Sequence, residues 1–136
     1  MLDHMTFRVS DLARSQGFYA AALAPLGYRV AYEGTHNGMQ MVGLGCPDAQ
    51  SPDGLKIDTW LYAGTSPHGG PITTGCHLCW QAQSRAQVDA FYQAAIAAGG
   101  LDNGAPGLRA HYHPHYYGAF VIDPDGNNME AVCHLP

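Results

Sequence analysis

The chain has 136 residues, with eleven acidic against six basic side chains and a formal net charge of −5. That length fits one domain, able to bury about two thirds of its unfolded surface without covalent staples. The basic residues stand singly, at Arg8, Arg14, Arg29, Lys56, Arg85 and Arg109, which argues against a nucleic-acid partner, because that requires clustered cations. No apolar run approaches a membrane span, and Met1-Leu2-Asp3-His4 does not read as a signal peptide. Four irregularly placed cysteines then point to reduced thiols in the cytoplasm.

Leu2 to Val9 alternates, with His4, Thr6 and Arg8 on one face and Met5, Phe7 and Val9 on the other, as a half-buried strand does. Ser10-Asp11 offers a helix N-cap, and Leu12 to Leu26 carries Leu12, Phe18, Tyr19, Ala22 and Leu23 at helical spacing until Pro25 and Gly27 close it. Tyr28 to Tyr32 and Met39 to Leu44 read as Gly-punctuated strands. A turn-rich loop over residues 46–54 follows, and then a strand from Leu55 to Tyr62. The stretch Ala63 to Thr74, rich in Pro and Gly, predicts a linker.

Beyond it the pattern restarts. An offset of 73 residues superposes His4 on His77, Phe18-Tyr19 on Phe91-Tyr92 and Gly27 on Gly100. An offset of 72 superposes Pro52-Asp53-Gly54 on Pro124-Asp125-Gly126 and Asp58 on Glu130. Such a repeat, present twice, predicts two related modules of strand, helix and three strands. Module 1 covers about residues 1–64, the linker 65–74 and module 2 75–136.

Each module carries a His on its first strand and a carboxylate on its last. Glu130 stands among apolar neighbours in a strand after a Pro-Asp-Gly turn, where an unpaired charge would cost several kcal/mol, roughly. By alternation Glu130 shares a face with Asn128 and Val132, His77 with Cys79 and Gln81, and Asp58 with Trp60 and Tyr62. If each sheet curves with its helix on the convex side, these polar members look into one concave cavity. His4, His77 and Glu130, with Asp58 as a possible fourth, would then form a mixed nitrogen and oxygen site. Such a site suits a divalent metal: Zn, Ni, Mn, Co or Fe(II).

The segments His4-Met5-Thr6-Phe7-Arg8-Val9-Ser10-Asp11-Leu12, Phe18-Tyr19, His77-Leu78 and Phe120-Val121-Ile122-Asp123-Pro124-Asp125-Gly126-Asn127, ending on Glu130, resemble the vicinal oxygen chelate superfamily. Its members include glyoxalase I, fosfomycin- and bleomycin-resistance proteins and extradiol dioxygenases. The resemblance implies an α+β fold of two tandem βαβββ modules, a curved mixed sheet with helices outside, a homodimer, and a metal at His4, His77 and Glu130. The fourth ligand is Glu in glyoxalase I, and Asp58 takes that place here, one methylene shorter. Three functions stand open. One is a metal-dependent lyase or isomerase acting on a small oxygen-rich substrate, with Asp58 or Glu130 moving the proton. The others are an Fe(II) ring-cleaving dioxygenase and a metal-free small-ligand-binding protein.

Arg8 shares the face of His4 and is a candidate clamp for a substrate anion, against an ion pair at the rim. In the run His111-Tyr112-His113-Pro114-His115-Tyr116-Tyr117, His113 is a candidate acid or base. Counting back from Glu130 places Phe120 and Tyr116 toward the cavity, and Trp60 is a candidate apolar wall. Cys76 and Cys79 lie three apart on a strand, so they face opposite sides and do not form a zinc pair.

Overall fold

The structure is a computed structural model that describes residues 2–64 and 70–136. Half of the predicted linker, residues 65–69, lies outside the described residues. In chain order the elements are β1 (Met5–Arg8), α1 (Leu12–Leu23), β2 (Arg29–His36), β3 (Met39–Pro47), β4 (Leu55–Ala63), β5 (His77–Gln81), α2 (Arg85–Ala97), β6 (Leu101–Leu108), β7 (Tyr117–Ile122) and β8 (Asn128–Cys133). A 3-10 turn over Ala24–Leu26 extends α1. Among the described residues no helix is long and apolar enough to cross a membrane.

The duplication is visible in the sheets. One has the order β1-β4-β3-β2 and the other β5-β8-β7-β6, each with a parallel outer pair and antiparallel hairpins. A strand and its parallel neighbour need a long crossover, and in each module the helix forms part of it. These are the two tandem βαβββ modules of an α+β fold. The helices start where local chemistry lets them. Asp11 accepts from the Arg14 amide at 3.0 Å and Ser84 from the Gln87 amide at 3.3 Å, so each cap satisfies an orphan helix donor. Gly27, at φ 89°, ends the first helical segment in the left-handed conformation that glycine adopts without cost.

One core joins the modules. Phe7, Val42, Leu44 and Leu61 from the first sheet are buried with Phe18, Tyr19 and Leu23 of α1. Val88 and Phe91 of α2 and Val121, Met129 and Ala131 of the second sheet belong to the same cluster. Both sheets therefore turn their helix-bearing faces to a shared apolar mass, and their other faces remain for function. Tyr19 sits at the join, its ring 6.3 Å from Phe7 and 6.4 Å edge-on from Trp80.

The polar counterpart of this join is Asp123, buried at 4 % exposure. Its carboxylate accepts from the Tyr19 hydroxyl at 2.6 Å, from the Asp125 and Asn127 amides at 2.9 and 2.8 Å, and from Asn127 Nδ2 at 2.9 Å. Burial, followed by the charge of Asp123, drives the Tyr19 phenol far above its usual range and keeps it a donor. Asn127 extends the network by donating to the Thr73 carbonyl at 3.0 Å and accepting from the Cys76 amide at 3.2 Å. Asp125 takes the Ser10 amide at 3.0 Å and Arg14 at 3.3 Å. The turn between β7 and β8 thus holds the start of α1 and the entry to β5.

Tyr19→Phe should lower stability by about 1.5–3 kcal/mol, the range for a hydrogen bond to a charged acceptor. Asp123→Ala, which strands four donors, should cost about 3 kcal/mol or more. Urea unfolding midpoints measure both, and equal midpoints for wild type and Asp123→Ala would show that the network is not stabilising.

Candidate functional site

The face of the second sheet turned away from the core is built around Glu130. Alternation along β8 sends Met129, Ala131 and Cys133 into the core, all at 0 % exposure, and Asn128 and Glu130 to the opposite face. In register, Glu130 lies between Cys79 of β5 and Phe120 of β7. Its carboxylate is nearly inaccessible, at 3 % side-chain exposure, yet both oxygens are partnered. Oε2 is 2.9 Å from His77 Nε2, and Oε1 accepts the Tyr116 hydroxyl at 2.5 Å. Those bonds are the reason a carboxylate can occupy this otherwise apolar strand.

The surrounding residues orient the pair. Asn103 Nδ2 donates to Asn128 Oδ1 at 3.0 Å, which directs the Asn128 amide nitrogen to His77 Nδ1, also at 3.0 Å. Nδ1 is then the acceptor, and Nε2 carries the proton toward Glu130. Phe120 meets the His77 ring edge-on at 6.2 Å and supports the Arg109 guanidinium 5.5 Å above its own face. Gly118 leaves the room that Glu130 needs, because a Cβ there would come within 3.0 Å of Oε1 and 3.1 Å of the Tyr116 ring.

Two neighbours are held protonated. Desolvation first, and then donation to Glu130, raise the Tyr116 phenol above its ordinary range. Burial, followed by the Glu130 charge, pushes the Cys79 thiol up to about 12, although part of its side chain reaches the surface. The thiolate is the reactive form, so Cys79 has the character of an inert thiol.

The first sheet presents a separate cavity of about 500 Å³, with Trp60, Tyr32, Met41 and Ile57 as its apolar walls and His4, Thr6 and His36 as its polar groups. All of these belong to module 1. His4 is 57 % exposed in its side chain and bonds to Asp3 at 2.9 Å. The expectation that one cup collects His4, His77, Asp58 and Glu130 is therefore not met within a single chain. Among the described residues no three His, Cys, Asp or Glu side chains come together as a metal cluster.

Asp58 departs from its repeat partner for a local reason. The β3–β4 ladder shifts register between Leu44 paired to Thr59 and Gly45 paired to Ile57, which leaves Asp58 as the unpaired residue of a bulge. Ile57 takes the cavity-facing position, and Asp58 instead accepts from the Tyr28 hydroxyl at 2.8 Å and the Thr59 hydroxyl at 2.9 Å. No such shift occurs between β7 and β8, where Phe120 faces Glu130 in register. Asp58 is not placed here as a ligand.

The remaining candidates fall around these two faces. The Arg8 guanidinium donates to the Gly70 carbonyl, and the Arg8 backbone exchanges bonds with Thr73, so Arg8 secures the chain entering module 2. His113 lies on an exposed turn, its ring 5.8 Å from His115 and 6.1 Å from His134. His134 lies 5.1 Å from Tyr116, which places His113 two rings away from the phenol that touches Glu130. Trp60 walls the first cavity, while Tyr116 and Phe120 flank the second face.

Tyr32, Met41 and Gly118 escape a reading confined to alternation. Asn37-Gly38 would have pointed to the first two. At φ 49° and 77° this pair makes a two-residue hairpin, which sets Tyr32 against Gly43 and Met41 against Gly34.

The donor chemistry of the second face fits a divalent metal in part. An imidazole nitrogen and a carboxylate oxygen 2.9 Å apart match two adjacent ligands at right angles around one ion, roughly 3.0 Å for bonds of about 2.1 Å. A third protein donor has to come from elsewhere.

A profile of the Glyoxalase/Bleomycin resistance protein/Dioxygenase superfamily matches residues 1–131. The chain belongs to that superfamily. Among solved structures it is similar to a glyoxalase/bleomycin resistance protein from Albidiferax ferrireducens T118, at 31 % identity and a TM-score of 0.67, with 98 % of each chain covered. It shares its fold with a glyoxylase/bleomycin resistance protein/dioxygenase domain from Frankia sp. EAN1pec, at 15 % identity and a TM-score of 0.68, over 98 % of this chain and 96 % of that one. It also shares its fold with a mutant of glyoxalase I from Zea mays, at 21 % identity and 0.68, over 96 % of this chain but 46 % of that one. Among curated proteins none matches.

In chelator-treated protein at pH 8, iodoacetamide should alkylate Cys79 at least tenfold more slowly than a cysteine of the unfolded chain. Glu130→Gln should accelerate the reaction by removing the neighbouring charge. Mass-spectrometric peptide mapping reads both rates.

Proposed function

We propose that the chain is a metal-dependent enzyme of lyase or isomerase type, acting on a small oxygen-rich molecule, with its site completed between two copies of the chain. The observation that carries this is the buried Glu130 carboxylate, bonded to His77 and Tyr116 on a face turned away from the core. A protein that used this face only for packing would place an apolar residue there, because breaking even a paired carboxylate out of water is costly. His77 and Glu130 would hold the ion from one chain, and His4, on the separate face of module 1, would reach it from a second chain in a homodimer. The ion, one of Zn, Ni, Mn, Co or Fe(II), would polarise substrate oxygens and lower the cost of removing a neighbouring proton.

The chain's own groups supply the rest. With His77 ligating through Nε2, its proton would sit on Nδ1, and the Asn128 amide would turn its oxygen to receive it. Tyr116 remains protonated and would hold Glu130 Oε1 in place or pass a proton to it. Glu130 would accept the proton from substrate, whereas Asp58 is held by the Tyr28 and Thr59 hydroxyls. Phe120 and Arg109 would cover the pair and limit water.

Asp58 standing aside leaves three donors from the chain, and that favours one second reading. A three-ligand ferrous site for oxygen chemistry has the same donor count, and anaerobic iron loading followed by oxygen uptake on catechols tests it. The remaining possibility, a metal-free binding protein, predicts no retained metal.

Elemental analysis of protein loaded with divalent metal and then dialysed should find about one ion per chain, and less than a tenth of that in His77→Ala or Glu130→Ala. No retained ion in wild type overturns the metal reading. Mixing His4→Ala chains with Glu130→Ala chains and allowing exchange should restore metal to about a quarter of the sites, since each mixed dimer regains one intact site of two. A site formed within one chain would regain none.

A further inference from the structure

The module 1 cavity has chemistry that points to its occupant. Among the described residues that line it none is Asp, Glu, Lys or Arg, so in the metal-free chain its two imidazoles are the only lining groups able to carry a charge. Its walls are instead two aromatic rings, Tyr32 and Trp60, 5.4 Å apart and tilted by 60°, with Met41 and Ile57 beside them. Tyr32 is 39 % exposed, a large aromatic left at the lip with one ring for company. The volume of about 500 Å³ lies within the range of small-molecule sites.

Gly43 shapes this space. It pairs with Tyr32 on one side and with Trp60 on the other, at the centre of the sheet. It is not among the glycines with positive φ, so its backbone would accept other residues. A Cβ, however, would stand 2.8 Å from Ile57 Cγ2 and 2.9 Å from the Trp60 ring. Glycine here lets Trp60 and Ile57 lie down on the strand, and a side chain would lift both into the cavity.

We propose that the module 1 cavity is the substrate subsite for an uncharged planar aromatic ring bearing a hydroxyl or carbonyl oxygen, and that Gly43 is the position that sets its depth. The ring lies against Trp60 and Tyr32, where aromatic faces and edges pack best. Its oxygen points to the polar end formed by His4 and Thr6, with His36 as the other hydrogen-bonding group. The inference deepens the proposed function by naming the substrate class for the face that carries His4, and it rests on that reading for the word substrate alone.

The test is calorimetric titration of the full chain, stripped of metal with a chelator, using 2-naphthol and its saturated analogue decahydro-2-naphthol. The expected result is one 2-naphthol per chain, bound at least tenfold more tightly than the saturated alcohol. Gly43→Ala and Trp60→Leu should each weaken 2-naphthol at least tenfold while the far-ultraviolet circular dichroism is unchanged. Should Gly43→Ala fail to fold, Trp60→Leu and Tyr32→Leu carry the test from the two ring walls. Equal affinity for the two alcohols, or unchanged 2-naphthol affinity in the folded wall variants, overturns the proposal. The stripped protein separates the two readings. Naphthol binding without metal retention in untreated protein sinks only the metal chemistry, and metal retention without naphthol binding sinks only the aromatic subsite.

Discussion

The Asp123 carboxylate is the point on which the two halves of this protein depend. It is buried, it accepts four hydrogen bonds, and one of them comes from Tyr19 on the helix of the other module. A buried anion with every lone pair engaged is tolerated in low dielectric, and the same engagement makes its geometry stiff. That stiffness is passed along the chain. Asn127, gripped by Asp123, anchors the start of β5 through Cys76, and Glu130 follows three residues later on the strand that β5 borders. The turn that looks like a simple hairpin signal is also the clamp that aligns His77 with Glu130.

The duplication makes the differences between modules informative. Both have a strand, a helix and three strands, yet one ladder is regular where the other is bulged. In the regular ladder the carboxylate faces outward beside a His, and in the bulged one it turns to a tyrosine and a threonine. A single inserted residue in the pairing is enough, because side chains alternate with a period of two and a slip of one reverses their face. The consequence is a division of labour. Module 2 presents the acid, the imidazole and the phenol, while module 1 presents aromatic walls and two imidazoles, His4 and His36.

Superfamily membership and this division are mutually consistent. The relatives carry the names glyoxalase and bleomycin resistance protein, and in this chain a polar cluster around Glu130 and an apolar-walled cavity reside on different sheets. Among the described residues neither face alone has a full donor set for a metal. In the proposed dimer each would stand opposite the other, since a twofold contact can present one face to a different face twice over.

Sequence alone determined the element order, the duplication and the face on which Glu130, His77, Cys79 and Phe120 lie. These follow from local rules: alternation, capping at Ser10-Asp11, and turn chemistry at Pro124-Asp125-Gly126. The expectation that Cys76 and Cys79 stand apart also rests on strand parity alone. Tertiary structure decided what parity could not reach. The bulge at Asp58 arises from how β3 and β4 pair, and no property of Asp58 itself announces it. The partners of Glu130 come from β5 and from the loop before β7, and the close approach at Gly43 exists only once Trp60 lies across it. Above all, repeat arithmetic superposes His4 on His77 but carries no information on how the two sheets face one another. That relation is set by long-range packing of Tyr19, Trp80 and Asp123, which no local pattern encodes.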